Sequence, residues 1–236
     1  MRARVAERNE VALGTLFVTF DLDDGSVPEW RPGQYFWVEL LDPPYEDERG
    51  PRRHITIATS PTEGRLGLAT RLRDTAFKRG LAELEVGAPI EVEEPRGDFS
   101  LPDDTAPAYV FVAGGIGITV FRSMLRFIAD RALPYRVTLL YSNRDRASTA
   151  WLDELTELES RIPGLTVVPT MTADPEWTGE RRRVDESFLR AHLGDDLGAF
   201  TYVVAGPPGM VDGMKQLVGG LGLPDEQLIV QGFAGY

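Results

Sequence analysis

The chain contains no cysteine. That excludes disulfides, a thiolate nucleophile and any cysteine-ligated iron–sulfur cluster within it. Histidine is nearly as scarce, with only His54 and His192. No carboxylates cluster at ligand spacing, so no metal site is expected. Lysine is limited to Lys78 and Lys215, which leaves the positive charge almost wholly guanidinium. Arginine suits bidentate phosphate contacts, although a genomic composition bias accounts for the same preference. The first residues, Met1 to Arg8, have no apolar core of signal-peptide type, and nowhere do roughly 18 apolar residues run together. These absences predict a soluble cytoplasmic protein. A net charge of −12 argues against nucleic acid or an anionic membrane as the main partner, since both would be repelled.

What is present suggests two modest domains in 236 residues. From Val11 to Phe99 short alternating segments are broken by Gly, Pro and Asp. Strands are expected at Val11–Asp21, Gln34–Leu40, His54–Ser60, Arg65–Arg73 and Pro89–Glu93, and such spacing predicts a small antiparallel β-barrel. One helix, Thr75 to Leu84, interrupts them, with Asp74 or Thr75 as its N-cap. The polar stretch Leu101 to Pro107 marks a boundary, placing the domains at residues 1–103 and 107–236. Beyond it the rhythm changes to strands at Tyr109–Ala113, Arg136–Tyr141, Leu165–Thr170, Phe200–Ala205 and Gln227–Gln231. Helical patterns at Phe121–Arg131, Thr149–Arg161, Glu186–Leu193 and Gly209–Gly220 alternate with these strands. Alternation of this kind implies right-handed crossovers and a parallel sheet covered on both faces. Ligands of such sheets sit beyond the carboxyl ends of the strands, so the loops after residues 113, 141, 170 and 205 should converge.

The most informative segment is Val110-Phe-Val-Ala-Gly-Gly-Ile-Gly-Ile-Thr119, an apolar run stopped by glycines and followed by an amphipathic helix. Glycines allow close approach of a ligand, and the helix start aims free N–H groups and partial positive charge at the gap. A pyrophosphate suits that position. The absence of Gly-Lys-Ser/Thr disfavours an ATPase-type loop.

Four separated segments fall in one order: Arg31-Pro-Gly-Gln-Tyr35, Arg53-His-Ile-Thr-Ile-Ala58, Ala113-Gly-Gly-Ile-Gly-Ile-Thr119 and Ala205-Gly-Pro-Pro-Gly-Met210. The chain then ends Gln231-Gly-Phe-Ala-Gly-Tyr236. Together these resemble the ferredoxin–NADP reductase superfamily over nearly the whole chain. The resemblance implies a flavin-binding antiparallel barrel followed by an α/β Rossmann-like sheet of strand order 3-2-1-4-5. It implies FAD and NAD(P)H as cofactors, and hydride transfer from nicotinamide to flavin.

In that comparison Arg53 takes the place of a flavin-phosphate clamp, and Thr56 that of the hydroxyl at the reactive face of the ring, with His54 and Ile55 between them. Ile55 stands where the family has a stacking aromatic. Arg71, Arg73, Thr75 and Lys78 correspond to a second flavin segment, with Lys78 near a serine position. Gly115, Gly117, Ile118 and Thr119 resemble the dinucleotide turn. Gly206, Pro207, Pro208 and Met210 resemble Cys-Gly-Pro-Pro-x-Met, with Ala205 in place of the cysteine. Phe233 and Tyr236 echo an aromatic C-terminus that covers the flavin.

Ser142, Asn143 and Arg144 follow the second parallel strand, where an adenosine ribose is read. A Ser–Arg pair there favours NADP, while Asp145 one step on leaves NAD open. The expected function is electron transfer from NAD(P)H through FAD to a separate acceptor such as a ferredoxin, flavodoxin or oxygenase component. The alternatives are a flavin or ferric reductase using a free acceptor, and a non-enzymatic flavin- or nucleotide-binding accessory module.

Overall fold

The computed structural model describes residues 1–233. Six strands build the first half: β1 Arg2–Ala12, β2 Thr15–Leu22, β3 Tyr35–Leu40, β4 Arg52–Thr56, β5 Leu66–Arg71 and β6 Pro89–Val92. They pair antiparallel in the order β4-β3-β6-β1-β2-β5. A bridge between Ile57 and Leu68 then joins the two outer strands and curls the sheet into a barrel. Phe20, Phe36, Val38, Leu68 and Ile90 fill its interior. Helix α1, Ala76–Glu83, plugs one end through Phe77 and Leu81, and Thr75 is its N-cap.

The first strand was missed by the sequence reading, which began at Val11. Its eleven residues carry charges at 2, 4, 7, 8 and 10, and only Ala3 and Val5 are buried, so hydrophobic alternation is almost absent. The expected single strand Val11–Asp21 is split by a turn in which Gly14 adopts φ 67.

The second half alternates β7 Ala108–Gly114, α2 Ile118–Asp130, β8 Arg136–Asn143, α3 Leu152–Arg161, β9 Leu165–Met171, α4 Glu186–Leu193, β10 Phe200–Gly206, α5 Pro208–Gly220 and β11 Leu228–Gly232. All pairings are parallel in the order β11-β10-β7-β8-β9, which read from the β9 edge is 3-2-1-4-5 in strand number within this sheet. The order reverses between β7 and β10. The helices that follow these two neighbouring strands pass to opposite faces of the sheet and leave a crevice between their first turns.

The two halves are bolted together by Arg122 of α2, which is 5% exposed. Its guanidinium donates to both Glu63 carboxylate oxygens and to the Ala58 carbonyl on the barrel side, and to Glu154 of α3. The rings of Phe17 and Trp151 flank it from the two halves. Burial works against its charge, and the two glutamates more than offset this, holding its pKa above the ordinary arginine value.

Candidate functional site

Two cavities lie along the seam. The front one, about 450 Å3, opens where the barrel's outer strands splay apart beyond the Ile57–Leu68 bridge. Its walls are Tyr35 and Trp37 of β3, residues 52–56 of β4, Ala69 and Thr70 of β5, Thr75, Phe77 and Lys78 around the start of α1, and Gln231 to Phe233 of the other domain.

Strand register decides which groups of β4 face this space. Ile57 N–H bonds to Gln34 carbonyl and Leu40 N–H to Pro51 carbonyl, so the odd-numbered residues of β4 point their peptide groups at β3. The peptide N–H and C=O of His54 therefore lie on the strand's open edge, toward the cavity. Its imidazole instead packs edge-on against Tyr35 and Trp37 on the outer face. Ile55 pairs with Phe36 and packs against the barrel core.

Arg53 enters the cavity with its guanidinium over the Phe77 ring. Much of its donor capacity is already engaged by the turn before it: Nη1 bonds the carbonyls of Arg49, Gly50 and Arg52, and Nη2 faces Asp47 at 3.3 Å. Thr75 accepts from the backbone N–H of Lys78 at the α1 N-terminus. Burial pushes the Lys78 ammonium down to about 8, helped by the charges of Arg73 and Arg53.

The rear cavity, about 650 Å3, fills the crevice at the sheet's reversal point. Gly114, Gly115, Ser142, Asn143, Arg144, Thr172 and Pro207 line it from the strand ends, so the loops after β7, β8, β9 and β10 do converge. Gly115 adopts φ 53, and a Cβ there would meet the Arg71 guanidinium at 3.2 Å. At Gly117 a Cβ would collide with the Ala205 carbonyl, so this glycine serves the packing of the turn after β7 against the end of β10 rather than the cavity wall. Thr119 is buried and turns its hydroxyl to the Ile116 carbonyl.

Arg71, grouped by sequence with the flavin segment, reaches across to the rear cavity, where Nη2 bonds Asn143 Oδ1 and Ser148 O, each at 3.3 Å. Arg73, Gly117, Ile118, Thr119, Gly206 and Pro208 line neither cavity. Phe233 lines the front one, and Tyr236 falls outside the described residues.

The acidic neighbour of Arg144 is turned away. The Asp145 carboxylate accepts from the Ser148 N–H at 2.8 Å, a bond that holds its pKa below the usual carboxylate range. Arg183 joins Arg144 in the wall, and Asp185 caps α4 beside them. Met210, Met214 and Leu217 supply an apolar side.

Sequence reasoning missed Trp37, Phe77 and Gln231 in front, and Thr172, Val184 and Met214 behind. Two signals were available: Trp37 shares a strand face with Tyr35, and Met214 and Leu217 follow Met210 at helical spacing.

Residues 111–216 match the family model described as the oxidoreductase NAD-binding domain. The reductase component of phenol 2-monooxygenase from Pseudomonas sp. (strain CF600) is 32% identical over 78% of this chain and 52% of its own length. The flavohem-like FAD/NAD-binding domain of nitric oxide dioxygenase from Vibrio cholerae O1 biovar El Tor superposes with a TM-score of 0.86 at 17% identity, covering 98% of both chains. The chain belongs to the ferredoxin–NADP reductase superfamily. Methane monooxygenase component C from Methylosinus trichosporium is also 32% identical, over 70% of this superfamily member and 48% of its own length. The chain thus spans about half the length of the curated relatives it matches. Among the described residues, no helix of this reductase-superfamily chain is long and apolar enough to cross a membrane.

Proposed function

We propose that this chain is an FAD-dependent NAD(P)H oxidoreductase that delivers electrons to a separate acceptor. The observation that carries the proposal is the reciprocal lining of the two cavities. The front one borrows Gln231 to Phe233 from the rear domain, and the rear one borrows Arg71 from the barrel. Ligands in the two spaces would meet at one seam.

The residues in front suit a flavin. An open strand edge offers the His54 donor and acceptor to a planar heterocycle, and Arg53 with the α1 N-terminus suits a phosphate. Behind, the strand-end crevice and the guanidinium of Arg71 suit a dinucleotide. When bound, the flavin accepts a hydride from reduced nicotinamide and releases electrons singly or in pairs. The protein's share is to hold both molecules, exclude water and fix their approach through the Arg122 bolt. Thr56, buried at the cavity wall, is the proposed hydroxyl beside the reacting edge, and Tyr236 the proposed cover.

Arg144 and Arg183 in the wall, with Asp145 folded back on Ser148, favour NADPH over NADH. An oxygenase component is the acceptor class suggested by the reductase relatives. Arg49 and Arg52 stand at the front mouth, Arg52 paired with Glu93, and are the candidate contacts for an acidic partner. The packing of Ile55 into the barrel core favours a loosely held flavin, and so keeps open the use of flavin as an exchangeable substrate. A cytoplasmic location fits the supply of reduced nicotinamide.

The test is anaerobic titration of the FAD-loaded protein with NADPH and with NADH. Bleaching of the flavin bands, at lower NADPH than NADH, is expected. A protein that takes up no FAD, or whose flavin stays oxidised with both coenzymes, would overturn the proposal.

A further inference from the structure

The charged loop before β4 does more than connect strands. Asp47 opens a tight turn in which its carboxylate accepts from the Arg49 N–H at 2.9 Å and its carbonyl accepts from Gly50, which adopts φ 67. That turn folds around the Arg53 guanidinium. Three carbonyls take up Nη1, and the two oxygens of Asp47 stand 3.3 and 3.4 Å from Nη2. The Arg53 side chain is mostly covered, at 21% exposed, while Asp47 sits on the open side of the turn, so the pair meets at the rim of the site and solvent screens it in part.

The loop is also fixed in place. Tyr45 donates to Glu83 of α1 at 2.5 Å, and the Arg79 guanidinium lies 3.9 Å above the Tyr45 ring. Gly80 gives room for the loop's Pro43 and for Leu40. These contacts anchor the chain two residues ahead of Asp47, and the Arg49 N–H bond fixes one oxygen of its carboxylate in the turn.

Resting on the flavin reading of the front cavity, we infer that Asp47 sets the affinity for phosphorylated flavins by competing with the ligand's phosphate for Arg53. The carbonyl bonds to Nη1 keep the guanidinium aimed, and the Nη2 edge is the face over which the two anions compete. The selectivity follows from charge. FAD and FMN carry a phosphate that must share Arg53 with Asp47, whereas riboflavin carries none. Asp47 therefore weakens the hold on the first two and leaves ring binding as it is, which suits a flavin that exchanges.

The test is Asp47→Asn in the full chain, with flavin-fluorescence titrations of FAD, FMN and riboflavin. Asparagine keeps the oxygen that accepts from Arg49 N–H, so the turn survives while the charge goes. The Kd for FAD and FMN should fall about two- to fivefold, the range of a solvent-screened ion pair, and that for riboflavin should stay put. In an Arg53→Ala background the same change should bring no gain. Unchanged or weaker FAD binding, or an equal gain for riboflavin, overturns the inference while leaving the flavin reading intact. Failure of the unaltered protein to bind any of the three brings down the flavin reading and this inference together.

Discussion

Replacing Arg122 by methionine tests whether the seam between the two halves is held by this one buried cation. Methionine keeps most of the apolar stem between Phe17 and Trp151, so the change isolates the guanidinium. Its loss strips a two-oxygen contact from Glu63, one bond from Glu154 and one from the Ala58 carbonyl. Breaking a buried ion pair from one side costs about 3–5 kcal/mol, because the partner charge is stranded. Here the stranded carboxylates are 21% and 20% exposed, and Arg126 still faces Glu154 at 3.6 Å, so water and that neighbour soften the loss to about 2–4 kcal/mol. Urea unfolding followed by tryptophan fluorescence is the assay, since Trp151 sits against the substituted position. Adding Glu63→Gln and Glu154→Gln should return part of the loss by neutralising what was stranded. A destabilisation under about 1 kcal/mol would refute the argument. It would assign the seam instead to its apolar contacts and to the Ser123–Thr59 hydrogen bond.

Arg53→Ala should weaken FAD binding by about 1.5–3 kcal/mol, the loss of a charge-assisted phosphate contact, and unchanged affinity by fluorescence titration would return Arg53 to a turn-holding role. Arg144→Ala should narrow the ratio of kcat/KM for NADPH over NADH, chiefly through KM for NADPH; an unmoved ratio would place Arg144 outside coenzyme selection. Lys78 titrates lower in the folded protein than in the unfolded chain, so between about 8 and the ordinary lysine value the unfolded chain binds more protons. Stability of the unaltered protein relative to Lys78→Met should therefore rise with pH across that window, and a flat or falling difference in urea midpoints would show that the ammonium is not shielded.

Both layers were legible because buried strands write themselves as apolar runs, and β7 and β10 are nearly all buried, whereas the strand order came only with the family resemblance. The opposite held for β1, whose outer face is charged and whose contribution to the barrel is two small side chains. Site residues were legible where backbone geometry demands a residue type, as at Gly115, and less so where a long side chain chooses between two spaces. Arg71 stands at the end of β5 in the barrel, yet its reach carries it to Asn143. Only the relative placement of the two halves decides that. Asp145 illustrates the same limit: its neighbourhood suggests a ribose ligand, while a local bond to Ser148 commits it to the loop.

The pairing of β3 with β4 has an evolutionary corollary at position 54. What that position offers along the strand's open edge is polypeptide, common to almost every amino acid, while its side chain packs on the outer face of the barrel against Tyr35 and Trp37 at the cavity's rim. The peptide donor and acceptor thus survive a change of the imidazole, and selection on the side chain acts through its packing on those two rings. Proline alone is barred, since it brings no N–H to offer.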